Sequence, residues 1–158
     1  MSERSLPDAH DPSESPVPTL PCAARRLVPH RPPMLLVERL LDKQDDHALV
    51  DAIAPDEGIF VDRLRGLAPE YFVEVIAQAM AAASGFDALE KGTPFGGGFL
   101  VGIDDCRWYG TAAGGETLRI ELEKRFQFEA VTVMEGRVLG RGGCLASATV
   151  KVWETGKA

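Results

Sequence analysis

One acid in this chain is placed where chemistry is possible. Glu74 lies in the run Phe72-Val73-Glu74-Val75-Ile76, with apolar side chains on both sides, and Gln78 follows at i+4. That spacing puts the carboxyl and the amide on the same helical face, one turn apart. A carboxyl group in such surroundings is costly to bury charged, so its pKa rises or a partner holds it. Perturbed carboxylates in apolar clefts are candidates for acid–base work. The same spacing also has a structural reading, in which an acid in a second helical turn is stabilised by the helix dipole or faces solvent. The other reactive types are sparse. Histidines occur only at 10, 30 and 47, too few and too scattered for a metal cage, so no metal is expected. Cys22, Cys106 and Cys144 are far apart with no CxxC spacing, which supports neither a disulfide framework nor a zinc site. Cys106 and Cys144 fall in strand patterns with no histidine nearby and read as small core hydrophobes. Gly96-Gly97-Gly98 lacks the Lys-Ser/Thr of a phosphate loop and leads into a strand, so it reads as a flexible strand entry.

The element that must position Glu74 is a helix from Pro69 to about Leu89. Proline is accepted in a first turn, and Glu70 favours the same end electrostatically. From Tyr71 to Phe86 the only polar side chains are Glu74, Gln78 and Ser84, the pattern of a helix buried nearly all round. Its alanines and Gly85 keep it slim, so strands can approach closely. Before it, Met34–Lys43 and His47–Ala54 read as strands joined at Asp45-Asp46, and residues 59–68 as an irregular loop. After it come four strand-like runs: Gly97–Tyr109, Glu116–Phe128, Val131–Leu139 and Gly143–Trp153. Leu118, Ile120 and Leu122 alternate with Arg119, Glu121 and Glu123, the signature of a half-buried antiparallel strand. Residues 20–29 predict a short helix ending before Pro29, and Pro29, Pro32 and Pro33 an extended, stiff segment. Residues 1–19, rich in Pro and Ser, predict a disordered tail, leaving 20–155 as a single domain. One helix cannot cover both faces of such a sheet. The predicted fold is α+β: a curved antiparallel sheet of about six strands wrapped around the central helix, its outer face wet or paired with a second copy.

Charge and composition exclude several classes. The chain has 158 residues and a formal net charge of −7. Its sequence pI is about 5.0. Wholesale nucleic-acid binding needs a basic surface, so it is not expected. No unbroken apolar run approaches the ~18 residues of a membrane span, and the acidic N-terminus lacks the order of a secretory signal. A cytoplasmic location is the expectation.

Three motifs now carry a resemblance. Pro29-His30-Arg31-Pro32-Pro33-Met34-Leu35-Leu36-Val37-Glu38-Arg39 resembles the opening signature of the hotdog-fold 3-hydroxyacyl-[acyl-carrier-protein] dehydratases. Glu74-Val75-Ile76-Ala77-Gln78-Ala79 resembles their central-helix motif, and Phe99 to Trp108 the strand that follows it. The PHRPPM spelling is most similar to the aryl-polyene branch. The resemblance implies a hotdog fold and a lyase acting on 3-hydroxyacyl thioesters in fatty-acid or polyene-type lipid synthesis. No resident cofactor is implied, because the substrate rides on the phosphopantetheine of an acyl carrier protein or on coenzyme A. In that family a histidine removes the proton alpha to the thioester carbonyl, and the helix acid assists loss of the 3-hydroxyl as water. A backbone N–H at the helix N-terminus polarises the carbonyl. Acid and histidine come from different subunits, which implies a homodimer or a heterodimer with a related hotdog protein. Carried onto this chain, Glu74 is the catalytic acid, and Gln78, Gly98, Phe99 and Gly102 line the substrate. Arg107 and Arg31, within a rim that includes Arg25, Arg26, Arg63 and Arg65, would steer the acidic carrier protein.

The sequence departs from the family at two points. The family's His-Phe-Pro-Gly loop is missing, and Gly58 to Leu67 holds no histidine. Five residues before Glu74, where the family has a glycine that donates its N–H, stands Pro69, which has none. Three readings follow. His30 or Asp62 supplies the base, although His30 also fits a structural place in its proline-rich turn. Glu74 acts alone as a general base on water, giving a thioesterase. Or the chain is a non-catalytic partner subunit whose Glu74 completes a site with another chain's histidine.

Overall fold

Alternating side chains make the strands, and one slim apolar helix fills what they enclose. The computed structural model describes residues 18–94 and 96–155. In chain order the elements are β1 (Cys22–Ala23), a 3-10 turn (Ala24–Arg26), β2 (Val37–Gln44), β3 (His47–Ile53), β4 (Val61–Asp62), β5 (Gly66–Leu67), α1 (Pro69–Glu90), β6 (Gly98–Trp108), β7 (Thr117–Phe128), β8 (Val131–Gly140) and β9 (Gly143–Glu154). Seven strands form one antiparallel sheet in the order β1-β2-β3-β7-β8-β9-β6, and β4 and β5 form a small hairpin of their own.

The core follows the predicted alternation. Ala48, Val50 and Ala52 of β3 pair in register with Leu122, Ile120 and Leu118 of β7, and all six are buried. Opposite them lie Tyr71, Phe72, Val75, Ile76, Ala79, Met80, Ala82, Ala83 and Phe86 of α1. The sheet comes so close to the helix that a Cβ at Gly136 of β8 would stand 2.4 Å from Ile76 Cγ2. By length and composition α1 would qualify as a membrane span, contrary to expectation from apolar run length. Here the wrapping sheet supplies the apolar surroundings instead.

The coverage of α1 is one-sided. Val73, Glu74, Ala77, Ala81, Ser84 and Ala88 form a half-exposed stripe at helical spacing. This stripe is the open side, and Glu74 is on it. The convex face of the sheet carries ion pairs instead, such as Arg39–Asp51 at 2.5 Å and Arg137–Glu121 at 3.6 Å, as a water-facing antiparallel sheet should.

Several local expectations are corrected. The short helix expected at 20–29 is a two-residue strand on the edge of β2 followed by a single 3-10 turn. The proline-rich segment is not extended, because the N–H groups of Met34 and Leu35 both donate to Arg31 O and close a turn. The loop expected at 59–68 contains the β4–β5 hairpin, in which Val61 pairs Leu67 and Asp62 pairs Gly66. Cys106 is half-buried and packs against the core as expected, whereas Cys144 is half-buried outside it. Residues 1–17 of the expected tail lie outside the described residues, while Pro18 is already buried.

Candidate active site

The site is built from α1 and the segment leading into β2. Gln78 is only 1% exposed. Its Nε2 donates to Met34 O at 2.7 Å and to Glu74 Oε1 at 2.9 Å, while its Oε1 accepts the Leu36 N–H at 2.8 Å. A single amide thus pins the chain crossing at Met34–Leu36 to the helix and orients the acid. With both Nε2 hydrogens engaged and its carbonyl oxygen used, Gln78 positions Glu74. The half-buried Glu74 has the partner that burial demanded, a neutral amide, and no cation pairs with it among the described residues. Because Oε1 accepts from Gln78, a proton carried by this carboxyl belongs on Oε2.

Two expected companions of Glu74 are engaged elsewhere. Asp62 Oδ1 accepts the N–H groups of Leu64 and Arg65 at 2.8 and 2.9 Å, so its carboxylate caps the β4–β5 turn. His30 is half-buried, and its Nδ1 is buried with no hydrogen-bond partner among the described residues. No described hydrogen bond joins His30 to Glu74. Arg31 Nη1 folds back to Val28 O and His30 O at 3.0 and 2.7 Å, which ties its guanidinium to its own turn.

The helix N-terminus is as the sequence implied. Pro69 is its first residue, the Tyr71 N–H donates to Ala68 O, and no side chain caps it. Sequence reasoning missed the group lying over this end. Trp108, from the far end of β6, donates its indole N–H to Pro69 O at 3.1 Å. The Tyr71 ring is buried between Phe60 and Phe72 in edge-to-face contacts, with centroids 5.9 and 5.5 Å away. Burial, and then the charge of Glu38, push its phenol well above the usual tyrosine range, so it stays neutral.

The residues expected from β6 divide between the two faces. Gly98 pairs Glu154 on the inner face, where a Cβ would stand 2.9 Å from Val152 Cγ1. The glycine run is closely packed rather than loose, because Thr155 donates its N–H and hydroxyl to Gly97 O at 2.8 and 2.7 Å. Phe99, Gly102 and Arg107 pair Trp153, Lys151 and Ser147 on the convex face. The Phe99 ring and the Arg107 guanidinium therefore point away from α1 and do not converge with Glu74. Two concavities of about 530 and 470 Å³ also open on the convex face, around Arg119 and Arg137, and Glu74 lines neither. Among the described residues no cluster of three or more His, Cys, Asp or Glu side chains could hold a metal.

Comparison with known proteins places this geometry. The family model described as ApeP dehydratase, of the ApeP-like group, matches residues 22–158. A 3-hydroxyacyl-[acyl-carrier-protein] dehydratase FabZ from Halalkalibacterium halodurans is 31% identical over 136 residues, covering 80% of this chain and 86% of that one. The FabZ of Pseudothermotoga lettingae is 28% identical over 129 residues, covering 81% and 91%. Among solved structures, the dehydratase heterocomplex ApeI:P from Xenorhabdus doucetiae superposes with a TM-score of 0.76 at 25% identity, covering 89% of this chain and 94% of that chain. A hypothetical thioesterase from Streptococcus pneumoniae, solved with coenzyme A, shares the fold at a TM-score of 0.60 and 14% identity, covering 75% and 85%.

Proposed function

The chain belongs to the ApeP-like dehydratase family, and on that premise we propose that it works in dehydrating 3-hydroxyacyl thioesters carried by an acyl carrier protein. Glu74 is the acid, and a related hotdog chain completes the site. The substrate class is a carrier-bound intermediate of fatty-acid or polyene-type lipid synthesis, held through its phosphopantetheine arm with no resident cofactor.

The observation that carries this reading is Glu74 itself. It is oriented through Oε1 by a buried amide, lies on the open stripe of α1, and has no base bonded to it among the described residues. In the reaction a base takes a proton from C2 of the acyl chain. The C2–H electron pair forms the C2=C3 double bond, the C3–O bond breaks, and Glu74 Oε2 gives its proton to the departing hydroxyl, which leaves as water. The Gln78 amide holds the carboxyl still through that transfer. Trp108 lies over the Pro69 carbonyl, at the helix end to which the family resemblance assigns the substrate's thioester. The base is then the histidine of a related chain, seated against the open side of α1 and β6. That strand is an eleven-residue sheet edge, and Leu100, Ile103 and Trp108 on its inner face are exposed. Long apolar edges are where another chain pairs. The ApeI:P dehydratase of Xenorhabdus doucetiae is itself a heterocomplex.

The test is a spectrophotometric assay of enoyl thioester formation, run beside a free-thiol assay. The chain is taken alone and mixed with a histidine-bearing relative. The mixture should turn over, and Glu74→Gln should lower its rate at least about 100-fold with the thermal melt unchanged. Undiminished turnover in that variant would remove Glu74 from the mechanism. Thiol release in place of enoyl product would mean hydrolysis. Turnover by the chain alone, abolished in His30→Ala, would move the base to His30.

A further inference from the structure

At one end of the sheet the convex face becomes apolar. A register irregularity between β7 and β8 falls between Lys124 and Phe126. A single extra residue in a strand turns every later side chain to the other face. Before it, Leu118, Ile120 and Leu122 point inward. After it, Phe126 and Phe128 point outward, opposite Val133 and Val131. Val131 pairs Trp153, and Trp153 pairs Phe99. Phe128, Val131, Trp153 and Phe99 therefore form one row across β7, β8, β9 and β6 on the convex face, about 15 Å long at ordinary strand spacing. Phe99, Phe126, Phe128 and Trp153 are 65%, 58%, 68% and 53% exposed. The inner face at the same level carries Gln127, Thr132 and Glu154 beside Val152 and Leu100, with the Thr132 hydroxyl donating to Glu154 Oε1 at 2.9 Å.

The surroundings of this patch decide what covers it. The nearest cations are engaged: Lys151 pairs Asp104 at 2.5 Å, and Arg125 pairs both Glu123 and Glu135. Among the described residues of this face, neither Lys151 nor Arg125 is left unpaired for an acidic carrier or an anionic headgroup. The four aromatic side chains expose roughly 500 Å² between them, from ~150–250 Å² each. Two such patches face to face bury about 1,000 Å², the lower limit for a specific protein interface. About a twofold axis the same patch on a second copy supplies the matching apolar surface.

We propose that the Phe99–Phe126–Phe128–Trp153 patch is an interface between two copies of this chain, back to back through the convex faces of their sheets rather than by strand pairing along β6. It would join the paired units of the site into a higher assembly without touching Glu74.

The experiment is sedimentation equilibrium of the full chain at micromolar concentration, comparing wild type with Phe128→Glu and Phe128→Lys. Phe128 is exposed, so both variants should keep the wild-type melt and dehydratase turnover. The wild-type mass should be at least twice that of either variant, and a 1:1 mixture of the two should return to the wild-type mass. Equal masses for wild type and variants would overturn the proposal. So would halved masses that mixing does not restore, because a patch facing itself brings the opposite charges together. Flotation of wild type, but not of Phe128→Glu, with phosphatidylcholine vesicles at equal protein masses would assign the patch to a lipid surface and overturn it as well.

Discussion

Replacing Gln78 with Leu separates the two jobs of the buried amide. Leu fills much of the same volume but offers neither donor nor acceptor. The Leu36 N–H is then buried without a partner, because Leu36 is buried and that N–H is engaged by Gln78 Oε1. An orphaned buried donor costs about 1–3 kcal/mol. Met34 O loses its donor too, but Met34 is exposed, so water can compensate to within about 1 kcal/mol. The sum is roughly 1–4 kcal/mol of lost stability, which lowers Tm by roughly 2–16 °C in a domain of this size. Glu74 also loses its orienting donor, so the rate should fall by about tenfold or more at temperatures where the variant is fully folded. Thermal and urea unfolding measure the first effect, and enoyl thioester formation measures the second. Gln78→Glu refines the result. A protonated carboxyl there can accept from Leu36 N–H and donate to Met34 O, but it has no second hydrogen for Glu74. At acid pH it should therefore recover stability and not rate. Burial raises the pKa of the introduced carboxyl, so that stability is present below the ordinary carboxylate pKa and is lost as pH rises through the raised value. A Gln78→Leu protein that melts with the wild type, at the wild-type rate, would refute the clamp.

Two further outcomes follow from the geometry. Gly136→Ala places a methyl against Ile76, which should cost about 1–3 kcal/mol by overpacking, and Ile76→Val in the same chain should return part of it in the urea midpoint. Glu116 accepts the Arg141 N–H at 2.6 Å and the Ala113 N–H at 3.2 Å, and these bonds hold its carboxyl below the ordinary value of 4.5. A lowered folded-state pKa means stability that is present above the unfolded value and lost as pH falls through the folded one. Glu116→Gln should therefore flatten the acid limb of a Tm-against-pH curve below about pH 4.5 while changing little at the Glu74 site.

Much of the fold was legible because it depends on side-chain periodicity. The alternation in β3 and β7, the apolar helix and the proline at its start each decide a local conformation, and the observed bounds lie within a few residues of those expected. Glu74 and Gln78 were legible as a pair because i+4 spacing brings them together whatever surrounds the helix. Hydrogen bonds between distant segments were not legible. Gln78 binds Met34 and Leu36 across a chain crossing, Asp62 is taken by its own turn, and Trp108 reaches Pro69 from the far end of β6. Nothing in residue type or spacing announces which amide, carboxylate or indole will meet which carbonyl.

Residue order alone therefore determined that an apolar helix with one acid runs through an antiparallel sheet, and that the histidine loop and the donor glycine ahead of it are missing. Only the tertiary structure decided the rest. It set Glu74 on the uncovered stripe of α1, left β6 as an open edge, and sent the Phe99 ring and Arg107 to the convex face. The reason is phase. A strand's register and its bulges choose which face each side chain takes, and a one-residue slip, as between Lys124 and Phe126, reverses that choice for all that follows.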